Sequence, residues 1–109
     1  PYNREDKFFL VAYNAAFDTG FLEEWFKRNG SRCFGAYFWR PSLCSYVLAA
    51  FHLGDEWAKL PNRKLATVAA RLDIIPPQVG KLHTALYDCL LSKGIYEKVK
   101  ERHNQAANI

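Results

Sequence analysis

Residues 8–18, Phe8-Phe9-Leu10-Val11-Ala12-Tyr13-Asn14-Ala15-Ala16-Phe17-Asp18, decide how this chain reads. The first six form an unbroken apolar and aromatic run, with none of the polar alternation of a strand that has one wet face. Such a run predicts a strand covered on both faces, inside a mixed sheet. After the short link Asn14-Ala15-Ala16, the residues Phe17, Phe21, Leu22, Trp25 and Phe26 recur at the spacing of one helical face. Glu23, Glu24, Lys27 and Arg28 take the other face, and Asn29-Gly30 supplies a stop. The first element pair is therefore strand then helix.

Working outward, Phe34 to Trp39 predicts a second short strand. Ser42, after Pro41, is placed to cap a helix carrying Leu43, Val47, Ala50 and Phe51 and ending before Gly54. Asp55 to Asn62 reads as a loop, with Asn62 capping a short helix whose apolar stripe is Leu65, Val68, Ala69 and Leu72. Pro76-Pro77 bars a helix through that point. A last helix is expected from about Lys81 to Arg102, with Leu82, Ala85, Leu86, Cys89, Leu90, Tyr96 and Val99 facing inward. Gly94 within it costs about 1 kcal/mol against alanine, which predicts a local packing reason for it. Only two strands are visible, and a two-stranded sheet is marginal alone. An apolar strand needs neighbours on both sides, so the sheet is expected to be incomplete.

The 109 residues suit one small domain, and a content of 50% apolar and 16% aromatic residues is enough for a packed core. No apolar run approaches the ~20 residues of a membrane span, and no basic-then-apolar leader is present. Cys33, Cys44 and Cys89 are odd in number and widely spaced, with no C-x-x-C pair, which argues against zinc. They are expected to be free and mostly buried thiols in a reducing, cytoplasmic setting. The formal charge of +4 favours an anionic partner without naming one.

Two segments carry chemistry. Asn14-x-x-Phe17-Asp18 places a carboxylate in the first turn of the helix that follows the apolar strand. Taken singly, Asp18 is an ordinary dipole-stabilising aspartate. His83-Thr84-Ala85-Leu86-Tyr87-Asp88 sets a histidine five residues before a carboxylate at the head of the last helix. Taken singly, that is a surface His and a helix-face Asp. In order, and after these elements, the two segments resemble the second and third exonuclease motifs of the DEDDh 3′–5′ exonucleases. That family includes the proofreading epsilon subunit of bacterial DNA polymerase III and ribonuclease T. The helix and loop over Leu65 to Ile75 are also similar to the family pattern, so the resemblance covers nearly the whole chain.

The resemblance implies a ribonuclease H-like α/β fold, a mixed sheet with flanking helices, of which residues 1–109 would be the C-terminal part. It implies metal-dependent hydrolysis of phosphodiesters at nucleic-acid 3′ ends, with single-stranded ends as substrate. Charge builds on the attacking and leaving oxygens of such a reaction, and two Mg²⁺ or Mn²⁺ ions roughly 4 Å apart stabilise both. Hard ions call for carboxylate oxygens. Asp18 and Asp88 would be metal-site carboxylates and His83 the general base, a role for which an unperturbed pKa of about 6.5 suits imidazole. Asn14 would brace the strand-to-helix turn or touch substrate, and Phe17 would pack beside the terminal nucleotide. The family's Asp-x-Glu, on the first strand of its sheet, has no counterpart here, since Glu5-Asp6 is adjacent and polar. The chain is accordingly expected to hold half of the metal-binding acids, to be inactive alone, and to self-associate through its open strand.

The remaining candidates are weaker. His52 and His103 lack acid or Cys partners at metal-site spacing. Lys59, Arg63, Lys64 and Lys81 can meet phosphates as point charges, or simply be solvated. Tyr87 and Trp57 can stack on bases, whereas Trp39 is expected in the core. The competing function is a non-catalytic module that binds nucleic acid or a polymerase. The presence together of Asn14, Asp18, His83 and Asp88 favours the enzyme.

Overall fold

The computed structural model describes residues 5–76 and 84–107. In chain order these form β1 (Val11–Ala12), α1 (Ala15–Arg28), α2 (Phe34–Tyr37), β2 (Leu43–Cys44), α3 (Ser45–Leu53), α4 (Glu56–Lys59), α5 (Leu65–Arg71) and α6 (Ala85–Ala107). The architecture is mixed α/β and mostly helical, with a two-stranded parallel sheet. Parallel neighbours need a crossover, and α1 with α2 provides it between β1 and β2.

The register pairs Val11 with Leu43 and Ala12 with Cys44, and an isolated parallel bridge joins Phe8 to Phe38. Between the two pairings, the second segment is two residues longer than the first. Pro41 lies in that excess, and its missing N–H cannot serve the ladder. The pairing therefore breaks and resumes at Leu43, whose N–H donates to the Leu10 carbonyl at 2.9 Å.

The strand expected over Phe34 to Trp39 is instead the helical turn α2 followed by the bridge at Phe38. Aromatic packing accounts for the difference. Phe34 and Phe38 stack with ring centroids 4.9 Å apart, whereas four residues of extended chain would separate them by about 13 Å. The edge of Phe26 closes on Phe34, and the Arg40 guanidinium lies over the same ring.

Helices α3, α5 and α6 enclose the core of Ala49, Val68, Ala69, Leu72, Leu91 and Ile95. The α5 stripe is the expected one. Asn62 acts two residues before the N-cap, its side-chain oxygen accepting the Lys64 N–H. The buried faces of α3 and α6 differ from expectation. Val47 and Phe51 on α3, and Ala85, Leu86 and Cys89 on α6, are exposed. The inward positions include Ser45 and Ser92, whose hydroxyls bond each other at 2.8 Å in the core. Two serines on the buried seam displace the apparent apolar face in the sequence pattern. Ser42 is likewise not the cap of α3; its hydroxyl bonds Thr19 of α1 at 2.7 Å, and Cys44 holds the N-cap position. The loop expected over Asp55 to Asn62 contains the single turn α4.

Gly94 has the packing reason its position predicts. A Cβ there would lie 2.7 Å from the Ile74 Cγ2 methyl, so the loop after α5 closes directly on the α6 backbone. The sheet side is looser. Phe8 is 72% exposed and Phe9 53% exposed, so the apolar run is not covered on both faces as expected. The outer stripe of α1 (Phe17, Phe21 and Trp25) is likewise exposed. The start of the expected last helix, including Lys81 and Leu82, lies outside the described residues.

Candidate functional site

The turn between β1 and α1 sets the first carboxylate. Asn14 is at φ 64°, ψ 59°, a left-handed conformation that asparagine tolerates better than most residues. It reverses the chain over one residue, and its carbonyl accepts the Phe17 N–H at 3.1 Å. Its side chain makes no capping bond, so Asn14 shapes the turn through its backbone. Asp18 then falls in the first turn of α1, where the helix dipole favours negative charge.

The second carboxylate is set by α6. Leu91, Ser92 and Ile95 bury one side of this helix, fixing its rotation about its own axis. Asp88, in its first turn, has its amide bonded to the Thr84 carbonyl at 3.0 Å. Far apart in sequence, Asp18 and Asp88 line one cleft of about 370 Å³. The end of β1 (Val11, Ala12 and Tyr13) forms one wall, and Leu65 and Ser92 contribute to the others.

Tyr13 is the cleft residue that the sequence pattern did not single out. Its hydroxyl donates to the Arg63 carbonyl. Its ring meets the edge of Tyr46 at 5.2 Å, and Tyr46 in turn meets Trp57 at 4.9 Å. Burial, then the neighbouring Tyr46 and Cys44, raise the phenol's pKa well above its ordinary value, so it stays a donor. The available signal was a tyrosine ending an apolar strand, a place where a polar tip can reach a loop while the ring stays in the sheet. Trp57 is used in this aromatic ladder. Arg63 spends its guanidinium on the Ala58 carbonyl at 2.9 Å.

The other expected site residues are placed differently. Asn14 lines a separate groove of about 660 Å³ with Thr19, Arg40 and Ser42. Phe17 is exposed and borders neither cavity. His83 and Lys81 lie outside the described residues. Tyr87 packs against the core, and Trp39 is half-buried, 6.2 Å from Phe9 and with the Lys7 ammonium over its ring. The cysteines are free but not mostly buried as expected: Cys33 and Cys89 are exposed and Cys44 is half-buried. Cys89 also lines the Asp18–Asp88 cleft.

Carboxylates are the ligand type that hard divalent cations take, and Asp18 and Asp88 both line this cleft. Among the described residues no group of three His, Cys, Asp or Glu side chains is arranged to hold a metal ion. No described helix is long and apolar enough to cross a membrane. No protein-family model, curated protein or solved structure matches the chain.

Proposed function

We propose that this chain forms part of a metal-dependent 3′–5′ exonuclease of the DEDDh type, built on a ribonuclease H-like sheet. The observation that carries the proposal is the convergence of Asp18 and Asp88 on one cleft at the end of β1. Asp18 on α1 and Asp88 on α6 lie far apart in sequence, and a shared cleft is what the family resemblance of their two motifs implies.

In this reading Asp18 and Asp88 hold Mg²⁺ or Mn²⁺, which when bound would stabilise charge on the attacking and leaving phosphodiester oxygens. Tyr13 holds the β1 wall against the Arg63 loop, keeping the strand end and α5 at a fixed separation. His83 takes the proton from the attacking water. Two carboxylates are too few for a two-ion site, because Mg²⁺ keeps its waters unless several oxygens replace them. The proposal therefore requires further carboxylates against the open edge of β1, as an Asp-x-Glu strand would supply.

The test is a digestion of a labelled oligonucleotide with a free 3′ end in Mg²⁺ or Mn²⁺, by the 109-residue chain alone and by the chain joined to an Asp-x-Glu strand. Digestion from the 3′ end is expected only in the second case. Mn²⁺ titration followed by NMR should selectively broaden amide signals around Val11 to Tyr13, Asp18 and Asp88. Robust digestion by the chain alone would mean the acids are misassigned. Nucleic-acid binding without cleavage in both cases would leave the non-catalytic binding module.

A further inference from the structure

Away from the carboxylate cleft and the Asn14 groove, α3 and the C-terminal half of α6 leave a further concavity of about 540 Å³ between them. Its apolar lining comes from Leu48 and Phe51 on α3 and from Tyr96, Val99 and Ala106 on α6. Phe51 is 88% exposed, more than any other large apolar side chain described. Its rim is basic: Lys100, Arg102, His103 and His52 line it, and among the described residues no carboxylate does.

The sign of that rim is set by the helix itself. The acidic side chains of this part of α6 lie on another strip of its surface. Glu97 pairs with Lys93, and Glu101 accepts from Gln105. These positions are four residues apart and so share one stripe, turned away from Tyr96, Val99 and His103. Arg102 is held at the rim by its contact with His52 Nε2 at 2.7 Å, and Lys100 lies over the Tyr96 ring, 5.7 Å from its centroid. Both cations are thus positioned beside the apolar floor.

From this charge pattern we infer that the α3–α6 groove docks an acidic amphipathic helix of a partner protein. Its apolar residues would lie on Leu48, Phe51 and Val99, and its carboxylates would face Lys100 and Arg102. An apolar floor with charges confined to the rim is how grooves receive helices with anchors at i, i+3, i+4 and i+7. A nucleic-acid strand fits the groove less well. The floor offers carbon where a phosphate backbone needs a continuous track of cations, and the Tyr96 face is already covered by Lys100. The surface is independent of the exonuclease reading.

The probe is a fluorescein-labelled amphipathic peptide of about 14 residues, with leucines at i, i+3, i+4 and i+7 and glutamates elsewhere on its exposed face. Controls are the same peptide with lysine for glutamate, a scrambled peptide and labelled oligo(dT). The acidic peptide should bind saturably in the micromolar range and weaken as salt is raised. NMR shifts should map to Leu48, Phe51, Val99 and Ala106. Phe51→Ser and Lys100→Glu alter exposed side chains and should leave the melting temperature in place while weakening binding about tenfold or more. No saturable binding, equal binding of the lysine or scrambled peptide, or equal binding to both variants would overturn the inference. So would oligo(dT) shifting the same resonances, or sedimentation showing a dimer that Phe51→Ser dissolves.

Discussion

The two halves of this molecule bury their apolar residues to different extents, although Phe34 is buried in the sheet half and Val47, Phe51 and Ile75 are exposed in the helical half. Around α3, α5 and α6, Val68, Leu72 and Ile95 are fully excluded from solvent. Around β1 and α1, Phe8, Phe17, Phe21 and Trp25 each expose more than half of their surface. The sheet half is no less apolar in sequence; the described residues simply provide nothing to cover it. Burying a side chain of this size contributes about 1.5–3 kcal/mol, so the helical half is where the described fold gains its stability. The candidate site lies on the seam, with Asp88 on the closed half and Asp18 on the open one.

The largest expected effect concerns that seam. In the active, strand-complemented protein, Asp88→Asn should bring 3′-end cleavage below detection. His83→Ala should slow it by about 10²–10⁴-fold while leaving Mn²⁺ broadening of the cleft in place. Asp88 is half-buried and stands outside the core cluster, so thermal melting of Asp88→Asn should be unaltered. Full activity of His83→Ala at neutral pH would place the general base elsewhere.

Stability should separate the halves directly. Leu72→Ala is expected to destabilise the chain by about 2–5 kcal/mol through lost burial and a cavity. Phe21→Ala should change it by no more than about 0.5 kcal/mol. Urea unfolding of the two variants measures the contrast. A Phe21→Ala effect as large as that of Leu72→Ala would show that the α1 face is covered in solution.

A smaller effect is expected inside the closed half. Ser45→Ala leaves the Ser92 hydroxyl buried without its partner and should destabilise by about 1–3 kcal/mol. The double change to alanine at both positions should recover much of that, since neither side then holds an unpaired polar group. A double variant as unstable as the sum of the two singles would rule out coupling between the hydroxyls.

The smallest effect is a pH dependence at the end of α3. Partial burial first, then the charges of Arg102 and Arg71, hold the His52 pKa below its ordinary value. The folded state therefore favours neutral imidazole, consistent with Nε2 accepting from Arg102. A depressed pKa contributes stability that is complete above the ordinary histidine value of about 6.5 and is lost as pH falls through the lower folded value. Urea midpoints should fall between pH 7.5 and pH 5, and fall less in His52→Gln. An unchanged slope in His52→Gln would assign the dependence to other groups.

Much of this organisation is legible in the residues themselves. The apolar run ending at Tyr13, the helix ending at Asn29-Gly30, the α5 stripe and the packing demand of Gly94 follow from local periodicity, stop signals and backbone entropy. The two acidic motifs are legible too, as residue types in order. What the chain does with Phe34 to Trp39 is not, because an aromatic run satisfies a strand and a helical turn equally until Phe38, Phe26 and Arg40 gather round Phe34. Nor is the rotation of α3 and α6, since a serine on a buried seam looks polar until its partner hydroxyl arrives from another helix. Periodicity is a property of neighbours along the chain, and the sequence determines it alone. Which face is buried, that Tyr13 reaches the Arg63 loop, and that Asp18 and Asp88 share a cleft depend on contacts between distant segments, and only the tertiary structure decides them.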